Sequence, residues 1–335
     1  MTRFFRRRGV LGGATVTLLL LLGAGAWQEW HDRPPLPALG WPVADAADEA
    51  AGAAVTVTWL GITTLLFDDG ETQILTDGTF TRLGVLDLLG GREVYSDAAQ
   101  VNAALVDYGL RRLAAIVPLH THFDHAIDVG LVANRTQAIV LGSESAANIA
   151  RGANVPAAQY QILADGESRR FGEFTLTLIE SAHAPVGPGD GHWFPGHIEE
   201  PLEQPARVAD WKAGTCWSVL ISHPRGTALV QGSAGFLEGK LAGVAADAAF
   251  LSVAGLTGAG PDYTARYWAE TVGRTGAGRV FPVHYDDFTR PFGELRLFPR
   301  RVDDATVSAR WIDGLARADA VRVERLPLGR PVALF

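Results

Sequence analysis

Cysteine and basic residues are both scarce in this sequence. Cys216 is the only cysteine among 335 residues, so the chain forms no internal disulfide and no cysteine-based metal site. Four of the 29 basic residues and none of the 37 acidic residues lie in the first 26 positions, so the remainder has a net charge of −12. Such a surface repels phosphate backbones, and nucleic acid is therefore not an expected partner.

The N-terminal residues differ in composition from the rest of the chain. Arginines at positions 3, 6, 7 and 8 precede an uncharged stretch from Gly9 to Trp27, which contains five consecutive leucines and ends in small residues. This order is typical of an export signal, and Arg7-Arg8 loosely matches the twin-arginine pattern. The run also approaches the ~20 residues that span a bilayer, so residues 1–27 fit a cleaved signal and a retained membrane anchor equally well. Either interpretation predicts an exported protein, in the periplasm or on the extracytoplasmic face of the membrane.

The remaining chain is expected to form one large domain after a linker. Residues 28–53 contain PPLP and an Ala-rich stretch without apolar periodicity, which predicts a linker. Regular structure is expected over 54–335, because Val55 to Leu60 alternates between apolar and polar side chains as a half-buried strand does. Apolar strands then alternate with helical segments, an order typical of the α/β class.

Metal-binding side chains are concentrated directly after one apolar run. Residues 114–119 predict a buried strand, and the letters HTHFDH that follow supply His120, His122, Asp124 and His125. In an extended chain His120 and His122 project to the same side, while a helix that begins near Phe123 turns Asp124 and His125 towards the same point. Imidazoles and a carboxylate at this density suit a borderline divalent metal such as zinc.

HTHFDH resembles the HxHxDH signature of the metallo-β-lactamase superfamily. The resemblance implies a four-layer αββα sandwich over about residues 55–335, with the metals at one edge of its two sheets. The text WLG…LLFDDGETQILTD is similar to the opening hairpins of the branch that contains the ascorbate-phosphate lactonase and the N-acyl phosphatidylethanolamine phospholipase D. Members of that branch usually have a histidine after WLG, where this chain has Ile62.

The resemblance implies two neighbouring metal positions. The first would be held by His120, His122 and His183, and the second by Asp124, His125 and His284. His183 and His284 each follow a predicted strand, as the family's later histidines do, although a lone histidine is also compatible with a place in the core. Zinc is the expected metal, with one ion tightly bound and a second either loosely bound or helped by a further carboxylate, and manganese and iron remain alternatives.

Three polar residues are expected behind these ligands: Asp77, Ser233 and Asp286. Asp77 either orients a metal-binding histidine or caps a turn. Ser233 stands where most of the superfamily has an aspartate that bridges two metals, and a neutral hydroxyl is a poorer ligand for a dication. Asp286 follows His284 closely and is a carboxylate that would help to hold the second metal.

Residues 184–215 form a long insertion rich in proline and glycine. Irregular segments of this length often act as lids or binding loops, so His192, Trp193 and His197 are candidate substrate-binding residues. A loop that is merely anchored by its aromatic side chains is the alternative.

These features together predict a metal-dependent hydrolase. A metal lowers the pKa of bound water from ~15.7 towards ~7, and Asp124 is placed to orient that water and pass a proton to the leaving group. The expected substrate is a small molecule or a lipid with an ester, lactone, amide or phosphodiester bond. A di-iron redox protein and a non-catalytic protein of the same fold are the alternatives.

Overall fold

The computed structural model describes residues 32–46, 55–187 and 191–335. In these ranges the strands are β1 (Thr56–Trp59), β2 (Leu65–Asp68), β3 (Gln73–Thr76), β4 (Glu93–Val94), β5 (Leu113–Val117), β6 (Ile139–Gly142), β7 (Tyr160–Ile162), β8 (Ser168–Phe171), β9 (Phe174–Ser181), β10 (Ala206–Arg207), β11 (Cys216–His223), β12 (Gly226–Gln231), β13 (Ala248–Ser252), β14 (Arg279–Val283), β15 (Arg322–Val323) and β16 (Pro331–Ala333). The α-helices are α1 (Val85–Leu89), α2 (Ala98–Asp107), α3 (Phe123–Ala126), α4 (Val129–Thr136), α5 (Glu144–Gly152), α6 (Leu256–Ala259), α7 (Pro261–Trp268) and α8 (Ala305–Ala318). Single 3-10 turns occupy Leu36–Leu39, Ala157–Gln159 and Val208–Asp210, and a π-helical turn, Ala269–Gly273, extends α7.

Two seven-stranded sheets form the centre of the fold. The first has the order β16-β1-β2-β3-β5-β6-β7 and the second β15-β14-β13-β12-β11-β9-β8, and β4 pairs separately with β10. In each sheet the strands on one side pair antiparallel, as β2 with β3 and β11 with β12, and the other side is parallel, as β3-β5-β6-β7 and β12-β13-β14-β15. The strands that run in parallel therefore bring their carboxyl ends to the same edge.

Alternation of side chains along the strands explains the layers. Leu65 and Phe67 of β2 belong to the core between the sheets, whereas Leu66 packs in a second apolar cluster with helices α2 and α4. Phe67 meets Phe250 of the opposite sheet edge to face, with ring centroids 5.4 Å apart. Ile312 of α8 packs against the other sheet. The predicted four-layer αββα sandwich of metallo-β-lactamase type is confirmed.

The described part of the predicted linker is packed on the domain. Leu39 and Trp41 are buried in the main core, and the Trp41 indole donates to Asp313 Oδ1 at 2.9 Å. The Arg33 guanidinium binds Asp287 Oδ2 at 2.5 Å. Composition alone suggested a linker because these contacts are made by isolated residues that show no periodicity, whereas residues 32–46 are packed on the domain.

Chain order and sheet membership do not coincide at two places. Strands β8 and β9 belong to the second sheet, and β16 returns to pair with β1 in the first. The predicted export signal or anchor, residues 1–27, lies outside the described residues. Among the residues that are described, no helix is long and apolar enough to cross a membrane.

Candidate metal centre

The candidate ligands follow the carboxyl ends of strands in both sheets. Pro118 and Leu119 separate β5 from His120, and His122 occupies the N-cap of α3. His183 follows β9, and His284 follows β14 directly. Because the strands that lead to these residues run in the same direction within each sheet, the sequence positions 120, 183 and 284 meet at one edge of the sandwich.

His120, His122 and His183 form the first group. Their ring centroids are 4.8 Å apart in each of the three pairs, and one ligand atom from each lies within 4.8 Å of the others. The Nε2 atom of His120 faces the Nδ1 atom of His122 at 3.1 Å. Three converging imidazoles are a ligand set that catalytic zinc sites use.

Asp124, His125 and His284 form the second group. The Nε2 atoms of His125 and His284 are 3.2 Å apart, and Asp124 Oδ2 is 3.5 Å from each of them. The rings of His120 and His125 have centroids 3.8 Å apart, so the two groups adjoin. This donor set of five imidazoles and one carboxylate fits a borderline dication.

Asp77 lies behind His125. Its Oδ2 atom is 2.8 Å from His125 Nδ1 and also accepts from the hydroxyl of Thr63, while Oδ1 accepts from the amide of Leu119 at 2.8 Å. Asp77 is buried and has a φ of 54°, a conformation that aspartate tolerates better than most residues. Occupation of Nδ1 by a carboxylate directs the other nitrogen of His125 towards the centre, as in many metal sites.

His284 is held by a strained turn at Ile62. Its amide donates to the carbonyl of Ile62 at 3.0 Å, and the amide of Ile62 donates to the Asp286 carboxylate, 2.9 Å from Oδ1. Ile62 has a φ of 53° and His284 a φ of 60°. A β-branched residue in the left-handed region persists only where its surroundings fix it. The Asp286 carboxylate is therefore aimed at this turn and is not part of either ligand group.

Ser233 supports the segment that carries His183. Its hydroxyl accepts from the amide of Ala184 at 2.9 Å, and the Nδ1 atom of His183 lies 2.8 Å from the carbonyl of Ala184. The contact with a carbonyl makes Nδ1 the protonated nitrogen and leaves Nε2 free to bind a metal. Ser233 thus contacts a ligand-bearing loop from the position at which a bridging carboxylate was expected.

Protonation states in the first group favour metal binding. Burial, reinforced by the neighbouring imidazoles, lowers the pKa of His122 to about 4 and of His183 to about 3, and it places the pKa of His120 well below its usual value. These rings are neutral at pH 7, the form that binds metals.

In the second group, burial and the neighbouring charged groups shift the pKa values in opposite directions. Burial alone would raise the pKa of Asp124, but His125 and His284 hold it below its ordinary value, so it is ionised. Burial lowers the pKa of His125, and Asp77 and Asp124 outweigh this effect and raise it. An ionised carboxylate beside two imidazoles is a donor set that a cation stabilises.

Of the residues proposed for substrate binding, His192 lies closest to the ligands. Its ring centroid is 4.6 Å from that of His183 and 5.8 Å from that of His122. Trp193 follows at the rim with 56% of its surface exposed. His197 is exposed as well, and within the described ranges it makes none of the ring contacts that His192 makes.

Residues 191–215, which form most of the insertion, are well anchored. Trp211 and Ile198 are buried, and the carbonyl of Phe194 accepts from the amide of Ala213 at 3.0 Å while facing His122 Nε2 at 3.4 Å. The amide of Thr121, within the HTHFDH motif, donates to the carbonyl of Ala213 at 2.8 Å. The insertion therefore forms a fixed wall beside the first group.

Sequence reasoning missed several residues at this edge. Asp128 accepts from the amides of Phe80 and Thr81, at 2.7 and 2.6 Å, and so fixes the loop that carries Arg82. Phe288 lies beside His284, with ring centroids 6.0 Å apart. No pattern in the sequence signals a loop–loop contact of this kind, although Phe288 stands only four residues after His284.

No family model and no curated protein matches this sequence. Solved structures match its fold. CmlA, a diiron β-hydroxylase from Streptomyces venezuelae, gives a TM-score of 0.54 at 13% identity over 84% of this chain and 54% of CmlA. Unliganded yeast PDE1 gives 0.50 at 10% identity over 84% of this chain and 100% of PDE1. YhfI from Bacillus subtilis, a metallo-β-lactamase fold protein, gives 0.46 at 16% identity over 82% of this chain and 98% of YhfI. At identities this low, the likeness to CmlA and PDE1 shows a shared fold.

Proposed function

We propose that this protein is a metal-dependent hydrolase. The observation that carries the proposal is the meeting of two groups of three ligand side chains at one edge of the sandwich. When bound, a dication such as zinc supplies a water whose pKa is lowered towards ~7. His120, His122 and His183 would hold the first ion, and Asp124, His125 and His284 the second.

Asp124 has the properties of the proton-handling residue. Its side chain is ionised, and 12% of its surface remains exposed. An exposed oxygen beside the ligands can accept a hydrogen bond from the attacking water and then pass the proton to the leaving group. His192, whose ring centroid is 4.6 Å from that of His183, is placed to contact the substrate.

The substrate we propose is a small molecule or lipid with an ester, lactone, amide or phosphodiester bond. The WLG…LLFDDGETQILTD text supports membership of the branch that contains the ascorbate-phosphate lactonase and the N-acyl phosphatidylethanolamine phospholipase D. A substrate at the extracytoplasmic face of the membrane would agree with the basic and apolar character of residues 1–27.

Metal analysis combined with a substrate screen tests the proposal. Purified protein is assayed for bound Zn, Mn and Fe and then with ester, lactone, amide and phosphodiester substrates, with His122→Ala in parallel. We expect His122→Ala to lose bound metal and hydrolysis together. His223→Ala serves as the matched control, because His223 is the last residue of β11 and contacts Asp69 and Phe174. Full activity of His122→Ala would contradict the assignment.

A di-iron oxidoreductase is the second candidate. It is favoured by the likeness to CmlA, which is itself a diiron β-hydroxylase. Bound iron with an absorption spectrum that changes on reduction, together with no hydrolysis of any substrate class, would favour this candidate over the hydrolase.

A further inference from the structure

Two aromatic side chains adjoin the second ligand group. The rings of Phe123 and Phe288 meet edge to face with centroids 5.9 Å apart, and the Phe288 ring is 6.0 Å from that of His284. Phe123 belongs to the HTHFDH motif, between His122 and Asp124. Both residues are only partly buried, so each keeps some exposed apolar surface, and Phe288 also contacts His284.

Phe288 is fixed in this position from behind. Its ring packs edge to face on Phe298, with centroids 5.2 Å apart. The preceding Asp287 accepts from the amide and the hydroxyl of Thr289, at 3.0 and 2.6 Å, and closes the turn after Phe288. The Phe288 ring is therefore held beside His284.

The charges on the same loop are already paired. Arg290 and Arg296 both contact Glu294, at 3.4 and 2.5 Å. The exposed parts of the Phe123 and Phe288 rings are themselves apolar, and they suit a hydrocarbon group better than a phosphate or a sugar.

We propose that Phe123 and Phe288 form a binding subsite for an apolar acyl chain of the substrate, on the His284 side of the candidate metal centre. The inference rests on the proposed hydrolase function and narrows its substrate class to esters or amides with an extended apolar group. Burial of each methylene contributes ~0.8 kcal/mol, about a fourfold gain in affinity.

A binding series tests the subsite independently of turnover. The full chain, loaded with zinc, is titrated calorimetrically with n-alkyl hydroxamates of increasing chain length, whose head group chelates the metal. Affinity is expected to rise about fourfold per methylene over the first carbons. Phe288→Ala should flatten this dependence and leave the affinity for acetohydroxamate unchanged.

Phe292→Ala is the matched control, because Phe292 lies on the same loop but packs on Phe80 and Tyr108. It should keep the chain-length dependence. If Phe288→Ala does not fold, Phe288→Gln replaces it, since glutamine keeps bulk and removes apolar surface. Three outcomes would overturn the subsite. The affinity of the unaltered protein could fail to rise with chain length, the Phe288 variant could keep the full chain-length dependence, or Phe292→Ala could lose it equally. Failure of the hydrolase proposal would appear separately, as absence of turnover with every substrate class.

Discussion

At the scale of single residues, the candidate centre depends on buried side chains that lie behind the ligand groups. Asp77 is 2.8 Å from His125 Nδ1, and it also fixes the amide of Leu119 at the end of the metal-bearing strand. It thus sets both the direction of one imidazole and the position of the backbone that leads to two others. Its position after β3, parallel and adjacent to β5, makes both contacts possible.

Asp77→Asn should weaken metal binding at the second position by about 10- to 100-fold, the usual effect of removing a carboxylate that orients a ligand. The amide keeps the size of the side chain but loses its charge. The measurement is zinc affinity by competition with a chromophoric chelator. Asp69→Asn, in the β2–β3 turn at the opposite end of the strand, should leave the affinity as it is. Equal affinities in all three proteins would show that Asp77 only closes a turn.

Ser233→Asp should raise the amount of retained metal towards two ions per chain. A carboxylate between two cations supplies the negative charge that a serine hydroxyl lacks. An aspartate at this position can also still accept from the Ala184 amide, now bound at 2.9 Å. Elemental analysis after dialysis against a weak chelator measures the effect. Two ions already retained by the unaltered protein would mean that the missing bridge is compensated elsewhere.

At the scale of elements, the HTHFDH segment shows what sequence reasoning can reach. The apolar run, the strand end and the helix start near Phe123 are all local, and the structure has β5 at Leu113–Val117 and α3 from Phe123. The prediction that His183 and His284 are ligands depended on the family resemblance, because no local sequence pattern shows that strands of two different sheets end at the same edge. The Phe123–Phe288 contact depended on a loop whose course no local pattern encodes.

The insertion at residues 184–215 is an element whose role the sequence left open between a lid and an anchored loop. In its described part the backbone is tied to the HTHFDH segment, while Trp193 remains 56% exposed at the rim. A fixed wall with an exposed indole is suited to holding a substrate without a large closure.

Trp193→Ala should therefore raise KM by about three- to tenfold, the equivalent of one lost aromatic contact of ~0.5–1.5 kcal/mol, with little change in metal content. Steady-state kinetics on a substrate found by the screen, with elemental analysis alongside, provides the measurement. Joint loss of metal and thermal stability would instead mean that Trp193 anchors the loop.

At the scale of the whole molecule, residues 32–46 connect helix α8 to the loop that carries His284. The Trp41 indole packs on Tyr285, next to His284, with ring centroids 6.1 Å apart, and binds Asp313 of α8. Sequence reasoning assigned this segment to a linker because its partners lie more than 240 positions away, and long-range contacts leave no local pattern.

Trp41→Ala should lower the free energy of unfolding by about 3–5 kcal/mol, as truncation of buried tryptophan usually does. Urea denaturation of the unaltered and variant proteins measures the difference. Val43→Ala is the matched control, since Val43 is 45% exposed, and surface truncations stay within about 0.5 kcal/mol. A change in the free energy of unfolding below 1 kcal/mol for Trp41→Ala would show that residues 32–46 act only as a linker.

The return of β16 to the first sheet bears on when the protein can fold during its synthesis. Thr56 and Ala333 are paired residues of β1 and β16, so the first sheet gains its edge strand only after residue 333 has emerged from the ribosome. Pairings between distant parts of a chain form slowly. Until then, β1 has an unpaired backbone edge, and the polypeptide stays incompletely folded. A chain that crosses a membrane before folding benefits from such a delay, whereas export in the folded state would require translation to finish first.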